Sequence, residues 1–330
     1  MITIILGFFG TVIGALLYRS KVVKPKFTRL LGRSLYYFGL PIQVFVVAHN
    51  TRFIKDVWFP PLITILVLLL GLILANLNLF YGRQLCYAFL TNSWRKSLFS
   101  WFGGRDKQIN LPIPQTSSSQ GSFILASTLG STGYLGLAIV PILVNSTYSG
   151  WAVLYSITQI LFGSFGMGVL VANYYGSSRQ KVSFSIQLRE LLKVPALWAF
   201  TLGWCSRGTD FALLIDWGLR FGVLLAIAGA FILTGIQIQR IRVDYLNQTI
   251  APALLKMLII PGLTGLCLTL IGVTGDARLS MVLMSGMPTA NTNLILAQEY
   301  NLDSQVTAST IAVTTMVLPM MILMWKYLLQ

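Results

Sequence analysis

The chain has 330 residues, of which 55% are hydrophobic and 10% charged, and a mean hydropathy of +0.74. Ordinary soluble proteins carry roughly 25% charged residues, so this composition excludes a water-soluble domain and calls for a lipid solvent. The 24 Lys and Arg against 9 Asp and Glu give a net charge of +15, but they lie in separate segments, which excludes a nucleic-acid surface and instead orients a membrane chain.

A helix needs about 20 apolar residues to cross a bilayer. Ten such runs follow in order: 2–18, 29–50, 57–82, 121–146, 150–175, 192–206, 212–236, 248–272, 277–298 and 304–328. The first is expected to stay in the chain, since no Lys or Arg precedes Arg19 and no small-x-small cleavage site is present. After the third run, Tyr87, Leu90, Trp94, Leu98 and Trp101 recur at three- and four-residue steps. That spacing predicts an amphipathic helix over 84–103 lying on the cytoplasmic surface. Pro112, Pro114 and Ser117 to Ser119 then read as a linker.

The fourth run contains Gly130-Ser131-Thr132-Gly133-Tyr134-Leu135-Gly136, with Pro141 further on. Glycines at this density weaken a helix and allow close backbone approach, so a break spread over two turns is expected. In the seventh run Asp216 and Arg220 stand four residues apart and can pair on one helix face. The eighth carries Lys256, expected to snorkel inward, and Pro261-Gly262. The ninth reads Ser285-Gly286-Met287-Pro288-Thr289-Ala290-Asn291-Thr292-Asn293. Pro288 lacks an N–H and its ring clashes with the Met284 carbonyl, which predicts a break there. Freed backbone groups in hydrocarbon need partners, which Thr289, Asn291 and Asn293 can supply to the backbone or to a ligand. A helix restarting after the break turns its positive end, roughly half an elementary charge, to the cavity and attracts anions. Replacing Pro288 by Ala is accordingly expected to restore a continuous helix.

With the N-terminus outside, seventeen of the 24 basic residues fall in inner loops 19–33, 83–120, 176–193, 237–247 and 299–303. Arg52, Lys55, Arg207, Arg278 and Lys326 fall outside, which places both termini outside by the positive-inside rule. Trp58, Trp151, Trp204, Trp217 and Trp325 then form an outer aromatic belt. The chain divides into a first five-helix repeat over 1–175 (with cytoplasmic loop 83–120), a central cytoplasmic loop over 176–191, and a second repeat over 192–330. An odd number of spans per half inverts the second half, and interruptions at matching places in two halves mark a transport site.

These interrupted runs resemble the auxin efflux carrier family, which includes plant auxin carriers and many bacterial permeases. The family's fourth span reads near Gly-Asn-Thr-Gly-Tyr-Leu-Gly-Leu-Pro; here Gly130 and Thr132 to Leu137 match, while Ser131 replaces the Asn and Ala138 the Pro. The family's ninth span, near Met-Pro-Thr-Ala-x-Asn followed by Ala-Glu, is matched by Met287 to Ala290, Asn293 and Ala297, with Glu299 one place late. The resemblance implies an all-α integral membrane fold of ten transmembrane helices in a 5+5 inverted repeat, with broken, crossing helices four and nine. It also implies a carrier that exports a small organic anion, an auxin-like or dicarboxylic acid, by alternating access. The substrate-binding candidates are Ser131, Thr132, Gly133, Pro288, Thr289, Ala290, Asn291 and Asn293, with Asn293 favoured because it matches the family's Asn.

The expected setting is the plasma (inner) membrane, multi-pass. The expected partners are the anion and the lipid bilayer, with a homodimer as candidate assembly, no nucleic acid and no cofactor. Three cysteines without CxxC spacing and a lone His49 exclude a disulfide framework and a Cys/His zinc site. No serine elbow or paired carboxylates suggest an enzyme. No acidic residue falls near either interruption, so flux is expected to follow the membrane potential and to ignore sodium. The Ser131 and Ala138 departures motivate a second reading: a non-transporting membrane scaffold or sensor that keeps the carrier fold.

Overall fold

The computed structural model describes residues 2–20, 25–50, 57–91, 114–177, 189, 192, 194–209, 211–239 and 245–329. Within these the regular elements are helical, as lipid demands: a helix satisfies its own backbone without water. In chain order they are α1 (Ile2–Arg19), α2 (Pro25–Ser34), α3 (Leu40–Asn50), α4 (Phe59–Thr91), α5 (Ser117–Thr128), α6 (Leu137–Leu143), α7 (Ser146–Thr158) and α8 (Val169–Tyr175). There follow α9 (Pro195–Cys205), α10 (Leu213–Ile238), α11 (Leu246–Leu254), α12 (Ile260–Leu270), α13 (Gly275–Ser285), α14 (Asn291–Glu299) and α15 (Ser304–Leu329). Wide π-helical turns at Leu35–Gly39, Gln159–Gly168 and Leu255–Ile259 join α2 to α3, α7 to α8 and α11 to α12, and another, Thr132–Gly136, leads into α6.

Six stretches are long and apolar enough to cross a membrane: Leu30–Asn50, Phe59–Gly82, Thr147–Tyr175, Leu213–Ile236, Leu246–Leu270 and Ser304–Leu329. This is the make-up of a multi-pass helical membrane protein. The fourth and ninth apolar runs are each divided between two shorter helices. The sixth is reduced to the eleven residues of α9, about half of what a crossing needs.

Some sequence expectations change here. Ser117 to Ser119 do not form a linker; they open α5, where the Thr116 side chain accepts from Ser119 N and caps the first turn. Residues 84–91 continue α4, and the rest of the expected surface helix, 92–103, lies outside the described residues. The outer belt loses two members. Trp151 packs against Phe59 and Tyr148, and Trp325 is buried with its Nε1 donating to Met257 O at 3.2 Å. Trp58 and Trp217 are exposed as a belt requires.

Helix pairs are joined in a repeating way. α1 lies against α10 through facing glycines: a Cβ on Gly14 would strike Ile232 O, and one on Gly235 would strike Thr11 O. α9 lies against α3 similarly, where a Cβ on Gly203 would stand 2.6 Å from Phe45 O. Small residues allow this approach, and van der Waals packing then replaces the missing hydrophobic drive between helices in lipid. The remaining helices gather around two further clusters, one that includes Val140, Tyr155, Met281 and Met284 and is shared with α3, α9 and α10, and one that includes Phe123 and Leu129. Two aspartates tie helix starts together. Asp303 caps α15 through Gln305 N and Val306 N and accepts from Ser119 Oγ of α5 at 2.7 Å. Asp276, in the first turn of α13, accepts from Asn145 N, the cap of α7, at 2.8 Å.

Candidate functional site

α5 stops at Thr128 and α13 at Ser285, both inside the core. The α13 stop follows from Pro288: the residues before a proline leave the helical region, and Gly286 provides the exit. The α5 stop has no proline. Pro141 sits inside α6, so the expected break over two turns is instead confined to 129–131, ahead of all but the first glycine.

The two interruptions cross and pair. Ser131 N donates to Pro288 O at 2.6 Å and Ala290 N to Leu129 O at 3.0 Å, an antiparallel bridge between Gly130 and Thr289. Each broken helix thus satisfies backbone groups of the other. Gly136 brings them closer still: a Cβ there would stand 2.9 Å from Met284 Sδ.

The carbonyls of the last turn of α5 and of the break draw side-chain donors largely from the second half of the chain. Asn293 Nδ2 donates to Leu125 O at 3.0 Å and to Leu129 O at 3.2 Å. Thr289 Oγ1 donates to Ala126 O at 2.8 Å, and Thr289 N in turn donates to Thr314 Oγ1 at 3.2 Å. Gln159 Nε2 donates to Gly130 O. Lys256 Nζ donates to Thr128 O at 2.9 Å.

Lys256 overturns its sequence expectation. It is the eleventh residue of Leu246–Leu270, about 16 Å along a helix that crosses roughly 30 Å of hydrocarbon. It does not snorkel to a surface; it is 0% exposed and is held at the crossing. A charge at this depth costs about 2.5–3.5 kcal/mol on insertion scales, and among the described residues no carboxylate pairs with it. Gly130 exists to admit it: a Cβ there would stand 2.9 Å from Lys256 Cε and 3.0 Å from both Lys256 Nζ and Met287 O. Lys256, Gln159 and Thr132 each belong to a π-helical turn, a device that re-aims side chains and recurs at functional sites.

The structure therefore brings all eight sequence candidates to one place, with different surroundings. Ser131, Thr132, Pro288, Thr289, Ala290 and Asn293 are buried. Thr289 and Asn293 hold the other broken helix, although Asn293 Oδ1 is buried without a partner. Gly133 and Asn291 are half-buried at the starts of the two restarting helices, with Tyr134 and Thr292 beside them. Among the described residues nothing hydrogen-bonds the Asn291 side chain. A Cβ on Gly133 would stand 2.9 Å from Leu40 Cδ1 and 3.5 Å from Ser156 Oγ, itself buried and unpartnered. Lys256, Gln159, Thr314 and Ser156 were not among the candidates. A lone Lys far inside an apolar run was the one available signal.

Two positive helix ends and a buried ammonium, with no acid among the described groups that face them, make a site that suits an anion. The Asp216–Arg220 pair is elsewhere, exposed on α10 at 2.8 Å. His49 meets Ser206 Oγ at 3.0 Å, stacks on Phe45 and packs at a tilt against Phe211.

No family model matches the chain. It is similar to an uncharacterized transporter of Methanocaldococcus jannaschii, 22% identical over 348 residues, an alignment that covers 100% of this chain and 96% of that protein.

Proposed function

We propose that this chain is a secondary carrier that exports a small organic anion by alternating access, on a scaffold of ten spans in two inverted five-helix repeats like that of auxin efflux carriers. The observation that carries the reading is the crossing itself: two helices interrupted and paired at Gly130 and Thr289, with restarting helix ends turned to one place. Irregular backbone at membrane depth is tolerated where it is enclosed by protein or lines a polar path. The transporter similarity along the full chain supports the same reading.

The repeat is supported by packing. If runs one to five correspond to runs six to ten, then α1 on α10 corresponds to α9 on α3. The Asp303 tie between α5 and α15 likewise corresponds to the Asp276 tie between α13 and α7. The substrate's negative charge would sit among Asn291, Thr292, Gly133 and Ser131, with Lys256 behind the crossing. The expected site in the cell is the plasma membrane, with both termini outside.

The test is flux of labelled organic acids from vesicles holding the purified chain, at clamped potential. Efflux that follows an inside-negative potential without a sodium gradient is expected. Binding of an acid with no flux would instead favour the scaffold or sensor reading, which the structural use of Thr289 and Asn293 makes a real competitor.

A further inference from the structure

We propose that Lys256 is a tethered cation: its ammonium fills a place at the crossing that would otherwise take a free monovalent cation, so the chain needs no coupling metal ion. The place is defined by backbone oxygen. Thr128 O accepts from Nζ at 2.9 Å, and Met287 O lies as close as Nζ, 3.0 Å, to the point where a Gly130 Cβ would stand. Thr128 ends α5 and Met287 lies two residues past the end of α13. The ammonium therefore caps the carbonyl end of one broken helix, and Met287 O, just past the end of the other, borders the same space beside Gly130. Each such end carries roughly half a negative charge, which the ammonium helps to offset.

Backbone carbonyls of this kind are hard oxygen ligands that suit a monovalent ion or an ammonium alike. Among the described residues the ammonium uses one hydrogen bond and has no carboxylate partner. Charge is what the position supplies; a neutral side chain would fill the space but leave the carbonyl end at Thr128 uncompensated. Gly130 marks the same requirement from the other side, since any Cβ would displace Lys256 Cε at 2.9 Å. With Lys256 in place, the opposite, positive ends at Thr132 and Asn291 keep a net attraction for one negative charge. This last step, and the statement that no coupling ion is needed, rest on the carrier reading.

The experiment compares the parent, Lys256→Ala and Lys256→Met in lipid nanodiscs and in vesicles. Thermal unfolding is followed in sodium, potassium, methylammonium or propylammonium chloride, with N-methylglucamine chloride as the bulky control. Lys256→Ala should be destabilised in the control salt and restored by a small cation, while the parent and Lys256→Met should not respond. An Ala variant that melts identically in every salt, or a parent that responds as strongly, overturns the proposal. Should the Ala variant fail to insert, the Met variant decides. Its loss of anion binding by about tenfold or more is expected, and binding at the parental level would show that the charge is not needed. Where the parent shows flux, Lys256→Ala should regain it only with a small cation. A parent without flux but with a cation-restored Ala variant would sink the carrier reading and leave the tethered cation standing.

Discussion

The amide nitrogen of Asn293 donates to Leu125 O and Leu129 O, each of which also accepts a backbone N–H, so Asn293→Leu removes a second donor from both without leaving either unpaired. Two lost hydrogen bonds at about 1 kcal/mol net each should still lower the melting temperature of the variant below that of the parent. Asn291 is half-buried and contributes no such bond, so Asn291→Leu should keep the parental melting temperature and lose flux by about tenfold, the effect of one lost charge-assisted hydrogen bond. Paired melting and flux measurements check both; the opposite assignment would restore Asn293 as the principal ligand. Gly130→Ala belongs with these. Its Cβ would press on Lys256 Cε and Met287 O, and overpacking of this kind costs about 1–3 kcal/mol. Loss of the tie between Lys256 and Thr128 is expected, read as a lower melting temperature than that of Gly133→Ala, where the close neighbour is the end of a Leu side chain.

The interruption of the ninth run was expected to heal when Pro288 became Ala. The crossing argues otherwise. A continuous helix through 286–290 would have to give up Ser131 N to Pro288 O and Ala290 N to Leu129 O, together with both bonds of Thr289. One recovered i to i−4 bond, about 1 kcal/mol net, does not offset that loss. Pro288→Ala should therefore keep the break and shift stability by little. Hydrogen exchange decides it: slow exchange at Ser131 and Ala290 in the variant is expected, and their exposure would mean that proline alone holds the interruption open. The same logic explains α5, which stops without any proline because paired partners exist for the backbone it frees.

α1, α2, α3, α9 and α10 pack on one another, the rest surround the crossing, and the two sets share a core where α3 and α10 meet it and α10 meets α15. Leu40 and Gly133 meet where the groups touch, with Leu40 Cδ1 2.9 Å from a Cβ placed on Gly133. If alternating access moves one group past the other, a short cross-link between cysteines at 40 and 133 should stop flux, and cleaving the link should restore it. Unchanged flux in the linked protein would rule out movement at this seam. Orientation is checked separately. A cysteine at Ser118, at the start of α5, should react with membrane-impermeant reagents from the inner face; reaction from outside would reverse the positive-inside assignment.

Composition and run length alone determined that this chain is helical and lives in lipid, because a bilayer sets both the length and the polarity of what can cross it. The sequence also located the second interruption, since a proline's missing N–H and its clash are local facts, and the α10 ion pair, since four-residue spacing is local too. It missed the burial of Lys256, the short extent of the first interruption and the inward turn of two tryptophans for one reason: each depends on what a distant segment puts beside it. Thr128 O holds Lys256 from 128 positions away, Pro288 O ends the first break, and Met257 O takes the Trp325 indole inward. Side chains in lipid have no water to fall back on, so their places are set by whichever buried partner can satisfy them, and only the tertiary structure brings those partners together.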